Sequence, residues 1–373
     1  MKTKQTLLSI ALFLTTLAPI FGQTNDLKIF GYFQNIALHS DVSFDGGNNV
    51  YETNTFLMQQ MNIMMAKNFG PQFSSFVNLE FTNSFSYNDN IGGFKIEEAW
   101  LKYSTSNAFN LKAGTLIPSF NSMNEIKNRT ILLPYILRPL AYETVYFKQY
   151  GLSEFVPVTA NLQVYGEIPV SGDLYFNYAL YIGNSATLYN NEKSFSYGQD
   201  QTSQKLVGGR LGLEYEDLTL GFSYTSDRKD STGTTIGFIP RQRMGAYLNY
   251  SQFGFDLEAE YIGVTYNLTD ANKATLALNP RATQSYDKKF MHVNLLYNFT
   301  DNLGAYAGYD YIQGDDNSFI FEGIDQMSYG TVYRVTNAII LKAQYTRQTF
   351  TLLARGAAKG LRNDIAIGAS VNF

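Results

Sequence analysis

From residue 27 onward the chain alternates between apolar and polar side chains. In the last ten residues Ile365, Ile367, Ala369, Val371 and Phe373 share one face, opposite Ala366, Gly368, Ser370 and Asn372. Upstream, Ile339, Leu341, Ala343 and Tyr345 oppose Lys342, Gln344 and Thr346, and Phe73, Val77, Leu79 and Phe81 oppose Ser74, Asn78 and Glu80. A period of two marks extended backbone, whose successive side chains point to opposite faces. Followed along the chain, it predicts about sixteen strands. They fall near residues 27–40, 56–68, 72–87, 93–104, 109–116, 157–167, 172–183 and 205–216, then 218–226, 241–251, 254–267, 287–299, 302–313, 327–336, 338–349 and 361–373.

The connections sort by parity. Alternate ones are tight, as at 68–71, 104–108, 170–172, 216–217, 252–254, 300–302 and 337; those between are longer and polar, as at 41–55, 184–204, 226–240 and 269–287. Short turns on one rim and long loops on the other predict an all-β, transmembrane, antiparallel up-and-down β-barrel. Closure has a strict cause, because in hydrocarbon every backbone N–H and C=O must find a partner within the protein. Tyr103, Tyr215, Tyr224, Tyr297 and Phe299, near predicted strand ends, are expected in the interfacial aromatic girdles.

The first segment has a different character. Lys2 and Lys4 precede an apolar run from Leu7 to Ala18, followed by Gly22 and a polar stretch. This is the pattern of a secretory signal peptide, assigned to 1–22, which leaves 23–373 for the barrel. No cysteine follows to carry a lipid anchor. Beyond it, no apolar stretch approaches the roughly 20 residues of a spanning helix; the longest, 131–137, contains Pro134.

Composition sharpens this picture. Charged residues are only 16% of the 373 and aromatic ones 15%, from 28 Tyr, 28 Phe and one Trp. Branched and aromatic side chains suit a pleated surface. The absence of cysteine excludes disulfides, zinc–cysteine sites and thiol catalysis. A net charge of −4 argues against a general nucleic-acid binder.

The terminal Ile367, Ala369, Val371 and Phe373 resemble the C-terminal signature that outer-membrane proteins present to their assembly machinery. The run Glu97-Glu98-Ala99-Trp100-Leu101-Lys102-Tyr103, with Leu111-Lys112-Ala113-Gly114, is similar to corresponding strands of the phosphate-selective (O/P type) porins of Gram-negative bacteria. The resemblance implies an outer-membrane diffusion channel, a homotrimer, and contacts with lipid, lipopolysaccharide and the barrel-assembly machinery through Phe373. It also implies a long loop after the fifth strand that folds inward and narrows the barrel. Residues 117–156 occupy that place.

That loop is suited to the role. Pro118, Pro134 and Pro139 stiffen it, and Ile131, Leu132, Leu133, Tyr135, Ile136 and Leu137 are expected to dock it on the inner wall. Its charges are nearly balanced. Lys127, Arg129 and Arg138, with Glu125 and Glu143, are the expected constriction residues. Parity turns Arg210, Arg243, Arg334, Lys342, Glu214, Glu258 and Glu260 toward the lumen, with Glu98 joining them from a strand that alternates poorly. Glu258 and Glu260 are expected to pair with Arg243 on the neighbouring strand. The charges predict a sieve with modest ion preference.

Other chemistry is thinly represented. His39 and Asp41 share a face at two-residue spacing, but a lone histidine beside an acid on a rim does not make a catalytic site. His292 alternates with Asn294 and reads as a wall residue. Asp227 and the pair Asp315-Asp316 read as solvated loop acids, without the spacing of a calcium loop. Gly46-Gly47 and Gly208-Gly209 lack a following helix and are no phosphate cradle. No enzyme, cofactor or metal is expected. The alternatives to a passive channel are an uptake channel dedicated to an anion or oligosaccharide, and a plugged barrel whose long loops act as surface receptor or adhesin.

Overall fold

The computed structural model describes residues 27–45, 49–129, 132–143, 156, 159–185, 204–230, 238–267, 270, 286–314, 321–352 and 358–373. Residues 1–22, read above as a signal peptide, and Asp315-Asp316 and Gly46-Gly47 lie outside them.

Among the described residues are sixteen strands: β1 Lys28–Phe44, β2 Asn49–Asn68, β3 Phe73–Ser86, β4 Ile91–Ser106, β5 Phe109–Leu116, β6 Thr159–Ser171, β7 Leu174–Gly183 and β8 Leu206–Tyr215. They continue with β9 Leu218–Asp230, β10 Phe238–Gln252, β11 Phe255–Tyr266, β12 Tyr286–Asn298, β13 Leu303–Gly314, β14 Phe321–Thr336, β15 Ile339–Leu352 and β16 Ala358–Asn372. Each pairs antiparallel with its sequence neighbours, and β1 pairs with β16 from Tyr32↔Asn372 to Phe44↔Gly360, closing the barrel. The closure ends in reciprocal bonds between Gly31 and Phe373, each N–H donating to the other's carbonyl at 2.9 Å. No helix among the described residues is long and apolar enough to cross a membrane.

The two faces of the wall are inverted relative to a soluble protein. On β16 Ile365 and Ile367 are exposed on the outside, while Asp364, Ala366 and Ser370 are covered on the inside. On β15 Leu341 and Tyr345 face out; Lys342, Gln344 and Thr346 face in and are buried. Hydrophobic side chains coat the outer surface, as expected where lipid is the outer solvent, and the inner face carries polar side chains beside an apolar patch that includes Ile262, Phe290, Ile312 and Ile340. Aromatic pairs gather at the short-turn rim, with Phe255–Tyr297 at 4.5 Å, Tyr297–Phe299 at 5.0 Å and Phe73–Tyr103 at 5.0 Å between centroids.

Several expected loops on the opposite rim are wall instead. Residues 41–44 and 49–55 extend β1 and β2, and 226–230 and 238–240 extend β9 and β10. The unbroken polar run Ser226-Asp227-Arg228 hid the end of β9 from the periodicity. As a result Tyr224 lies within β9 and not at its end, and Asp227 is a wall residue.

Candidate functional site: the folded loop and the inner wall

Where β5 ends, the chain leaves the wall. Gly114 has φ of +141°, and a Cβ there would meet the carbonyl of Ala99 and the backbone of Trp100. Only glycine lets β5 lie this close to β4 just before the departure. Residues 117–129 and 132–143 lie across the interior and bond to inward side chains of distant strands.

The first anchor is Glu260 on β11. Its Oε1 accepts from Ser122 N at 2.8 Å, Ser122 Oγ at 2.8 Å and Met123 N at 2.7 Å, and its Oε2 accepts from Tyr142 Oη at 2.5 Å. The two backbone donors open a single helical turn, α1 Met123–Ile126, so a wall carboxyl satisfies N–H groups that the turn cannot. Nearby, Asn121 N donates to Ser223 Oγ at 2.9 Å on β9, and Asn121 Nδ2 to the Tyr261 carbonyl at 3.2 Å.

A second anchor is Gln344 on β15, whose Oε1 accepts from Ile136 N at 2.6 Å and Leu137 N at 2.9 Å. Between the anchors, Phe120, Met123, Leu133, Tyr135, Leu140 and Tyr142 bury against apolar wall residues that include Ile262, Phe290, Ile312 and Ile340. This is the hydrophobic core of the molecule, and it lies inside the barrel. Ile136 packs in a second cluster with Ile36, Leu38 and Ala366. Of the six expected docking residues, Leu133, Tyr135, Ile136 and Leu137 are buried, Leu132 is exposed, and Ile131 lies outside the described residues.

The charged residues of the loop divide into two groups. Lys127, Arg138 and Glu143 are buried in its packing rather than facing an opening. Lys127 Nζ donates to the Asn124 carbonyl at 2.6 Å. Arg138 Nη1 donates to Asn128 Oδ1 at 2.9 Å, Nη2 bonds Gln60 Oε1, and the Arg138 N–H reaches Glu143 Oε2 at 3.0 Å. The sequence could not separate them from exposed charges, because a folded-back loop has no fixed period. Glu125 and Arg129 stay accessible. Glu125 accepts from Arg210 Nη1 at 3.0 Å, and Arg129, with its side chain 41% exposed, sits 4.0 Å from Glu98.

On the wall, Glu97 and Glu98 both turn inward. Asn78 pairs with Glu98 and Leu79 with Ile96, so Glu97 is the extra residue of a β-bulge. That bulge is why the strand alternates poorly. Glu97 joins Lys95 at 2.6 Å, and Lys95 also reaches Glu80 at 3.0 Å; Glu98 accepts from Trp100 Nε1 at 3.1 Å.

Arg243 is paired differently from the expectation. The register sets Glu258 opposite Asn249 and Glu260 opposite Tyr247, and Arg243 and Arg241 instead converge on buried Asp227 of β9, at 3.2 Å and 2.6 Å. Glu258 lies within 3.4 Å of Tyr135 Oη and 3.9 Å of His292 Nε2. His292 is covered by the loop, with Nδ1 3.0 Å from Asp310 Oδ1. Lys342 Nζ donates to Gln34 Oε1 at 3.2 Å, and Arg334 lies at the short-turn rim, 3.4 Å from Asn298 Oδ1. His39 meets Asn54 Oδ1 at 2.8 Å while Asp41 accepts from Asn363 at 3.2 Å, so the two do not form a dyad. Among the described residues no group of three or more histidine or acidic side chains is placed to hold a metal ion.

A closed sixteen-strand barrel with an apolar exterior, a polar interior and a long loop folded into it defines a transmembrane β-barrel of porin architecture. No protein-family model matches the chain, and no curated protein sequence matches it. Solved structures do. The anion-selective porin from Comamonas acidovorans matches over 93% of this chain and 99% of its own, with a TM-score of 0.64 at 11% identity. OmpT of Vibrio cholerae, in its trimer form, matches over 93% and 99%, with a TM-score of 0.57 at 13% identity. The outer membrane channel DcaP of Acinetobacter baumannii matches over 93% and 97%, with a TM-score of 0.57 at 14% identity. The chain has the porin fold.

Proposed function

We propose that the chain is a porin of a Gram-negative outer membrane, passing small hydrophilic solutes and ions by passive diffusion and catalysing no reaction. The observation that supports this most is the inversion of the wall, with Ile367 62% exposed on the outside and Gln344 3% exposed on the inside. A wall of this kind is built to lie in lipid around a polar inner face. Loop 117–156 is the constriction, and the pairs Arg129–Glu98 and Arg210–Glu125, in which Arg129 is exposed, Arg210 and Glu125 are half-buried and Glu98 is buried, set opposite charges along its edge. Their balance supports modest ion preference, while the motif at Glu97–Tyr103 extends the reading toward the phosphate-selective type. The trimeric form of OmpT supports a homotrimer. Lipid and lipopolysaccharide would contact the outer face, and the assembly machinery the strand ending at Phe373.

Purified protein in a planar bilayer is expected to give stepwise, ohmic conductance; a folded barrel that gives no steps would refute the reading. Under a salt gradient, Arg129→Ala should shift the reversal potential toward cation preference, and an unchanged potential would remove Arg129 from the constriction.

The loop should also respond to alkali. Burial pulls the Lys127 ammonium down to about 8, against the raising effect of Glu97. An undocked loop holds that proton up to about pH 10.4. Between these values the undocked form binds more protons, so docking strengthens as pH rises, by about 3 kcal/mol across the window. Open-channel current noise is expected to fall from pH 7.5 to pH 9.5, and Lys127→Met should abolish that fall.

A further inference from the structure

Most inward side chains of the described wall are covered by the loop or paired with each other. A stretch on β3 to β6 differs. There the half-buried rings of Phe76, Trp100 and Tyr165 lie on the inner face, with Phe76 and Trp100 5.3 Å apart between centroids. The Lys112 ammonium lies 4.8 Å from the Trp100 ring centre and 4.9 Å from that of Tyr165. Its charged neighbours are Glu125, Glu98, Lys102 and Arg129.

Hydrogen-bond accounting at this stretch is lopsided. Glu98 already accepts from Trp100 Nε1, and Glu125 from Arg210. Lys112 has no hydrogen-bond acceptor among the described residues, and the Arg129 guanidinium has only Glu98 at 4.0 Å. An ammonium carries three donors and a guanidinium five, so both cations have donors to spare, while the nearby acids are engaged. Rings beside the ammonium attract it through their faces and strip part of its water. A site of this kind favours an anion that is weakly hydrated and brings apolar surface of its own.

We propose that this wall segment is a binding lane for small carboxylates bearing a flat ring, the carboxylate held by Lys112 and Arg129 and the ring lying against Trp100 and Tyr165. A compact, strongly hydrated anion such as inorganic phosphate would leave the aromatic surface unused. The proposal rests on the porin reading only for the solute's route into the lumen; binding itself is independent of conduction.

Trp100 is the only tryptophan of the chain, so its fluorescence reports on the lane without a label. Folded full-length protein in detergent would be titrated with benzoate, acetate, inorganic phosphate and benzylammonium at constant ionic strength, with excitation above benzoate absorption. Benzoate is expected to give a saturable change, acetate at least tenfold weaker binding, phosphate weaker binding than benzoate, and benzylammonium no saturable change. Lys112→Gln should weaken benzoate at least tenfold. Arg129→Gln, at an accessible loop position, should weaken it several-fold and decides the matter if the first variant fails to fold. Equal response to benzoate and benzylammonium, acetate binding as tightly as benzoate, tighter binding of phosphate, or an indifferent folded variant would each overturn the lane. Conductance steps without saturable fluorescence would end this proposal alone, whereas saturable fluorescence in a barrel that never conducts would end the porin reading alone.

Discussion

Replacing Glu260 by alanine is expected to release the loop from the far wall and turn a steady channel into a fluctuating one. One carboxyl holds four donors from Ser122, Met123 and Tyr142. A hydrogen bond contributes about 1 kcal/mol net, and more when its acceptor is charged, and stranded donors add a desolvation cost. The loss is therefore at least about 3 kcal/mol, on the order of a hundredfold in the ratio of docked to undocked loop. Single-channel records should show larger and noisier conductance, and trypsin should gain access to the buried Lys127. Glu260→Gln, which keeps an acceptor oxygen, should retain much of the docking. An alanine variant with the parent's conductance and resistance to trypsin would mean that the apolar packing of Phe120, Leu140 and Tyr142 suffices.

The second large effect is expected at Asp227, and on the wall itself. Its carboxylate receives Arg241 Nε and Nη2 at 2.8 Å and 2.6 Å, and Arg243 Nη1 at 3.2 Å, with all three side chains buried. Removing one partner of a buried charge cluster typically costs about 3–5 kcal/mol, because the remaining charges lose their compensation. Asp227→Ala should lower the temperature at which the folded barrel converts to the slow-migrating unfolded form on a detergent gel. Asp227→Asn, which keeps the shape and loses the charge, should fall between. A double replacement of Arg241 and Arg243 by methionine alongside Asp227→Leu is expected to recover stability, since apolar side chains can substitute for a buried ionic cluster. An alanine variant that melts with the parent would show that water compensates the arginines.

The wall was legible in the sequence because one physical demand repeats along it. Each strand must offer lipid an apolar face, so alternation survives through β15 and β16 without reference to any distant residue. The long-loop rim was harder to read: where a strand rises above hydrocarbon both faces can be polar, and the pattern vanishes although pairing continues, as at Ser226, Asp227 and Arg228. Asp227 looked like a loop acid for that reason, and its partnership with Arg243 depended on a strand extension that periodicity could not supply. The bulge at Glu97 left a visible trace in the poor alternation of its strand, and two adjacent glutamates before Trp100 were the signal for it. Within the loop the apolar residues were identifiable as docking groups, but the fates of Lys127, Arg129 and Arg138 were not. Side chains there are sorted by contacts with β2, β11 and β15, which lie far away in the chain. The Trp100–Lys112 contact likewise required the β4–β5 register, which sets Trp100 opposite Gly114.

The loop's anchors also constrain the order of assembly. Ser122 waits for a carboxyl 138 residues downstream, and Ile136 for an amide 208 residues downstream. Until β11 and β15 are in place the segment lacks both main anchors and has only scattered contacts with residues of earlier strands, such as Glu98, Arg210 and Ser223, to hold it, and closing such long loops costs entropy before the contacts repay it. The interior is thus completed by the last part of the chain to be made, and the closing wall gathers the loop in as it seals. A chain truncated before β15 would expose the apolar face of Leu133, Tyr135 and Leu140, giving quality-control proteases a marker that disappears when the barrel is finished.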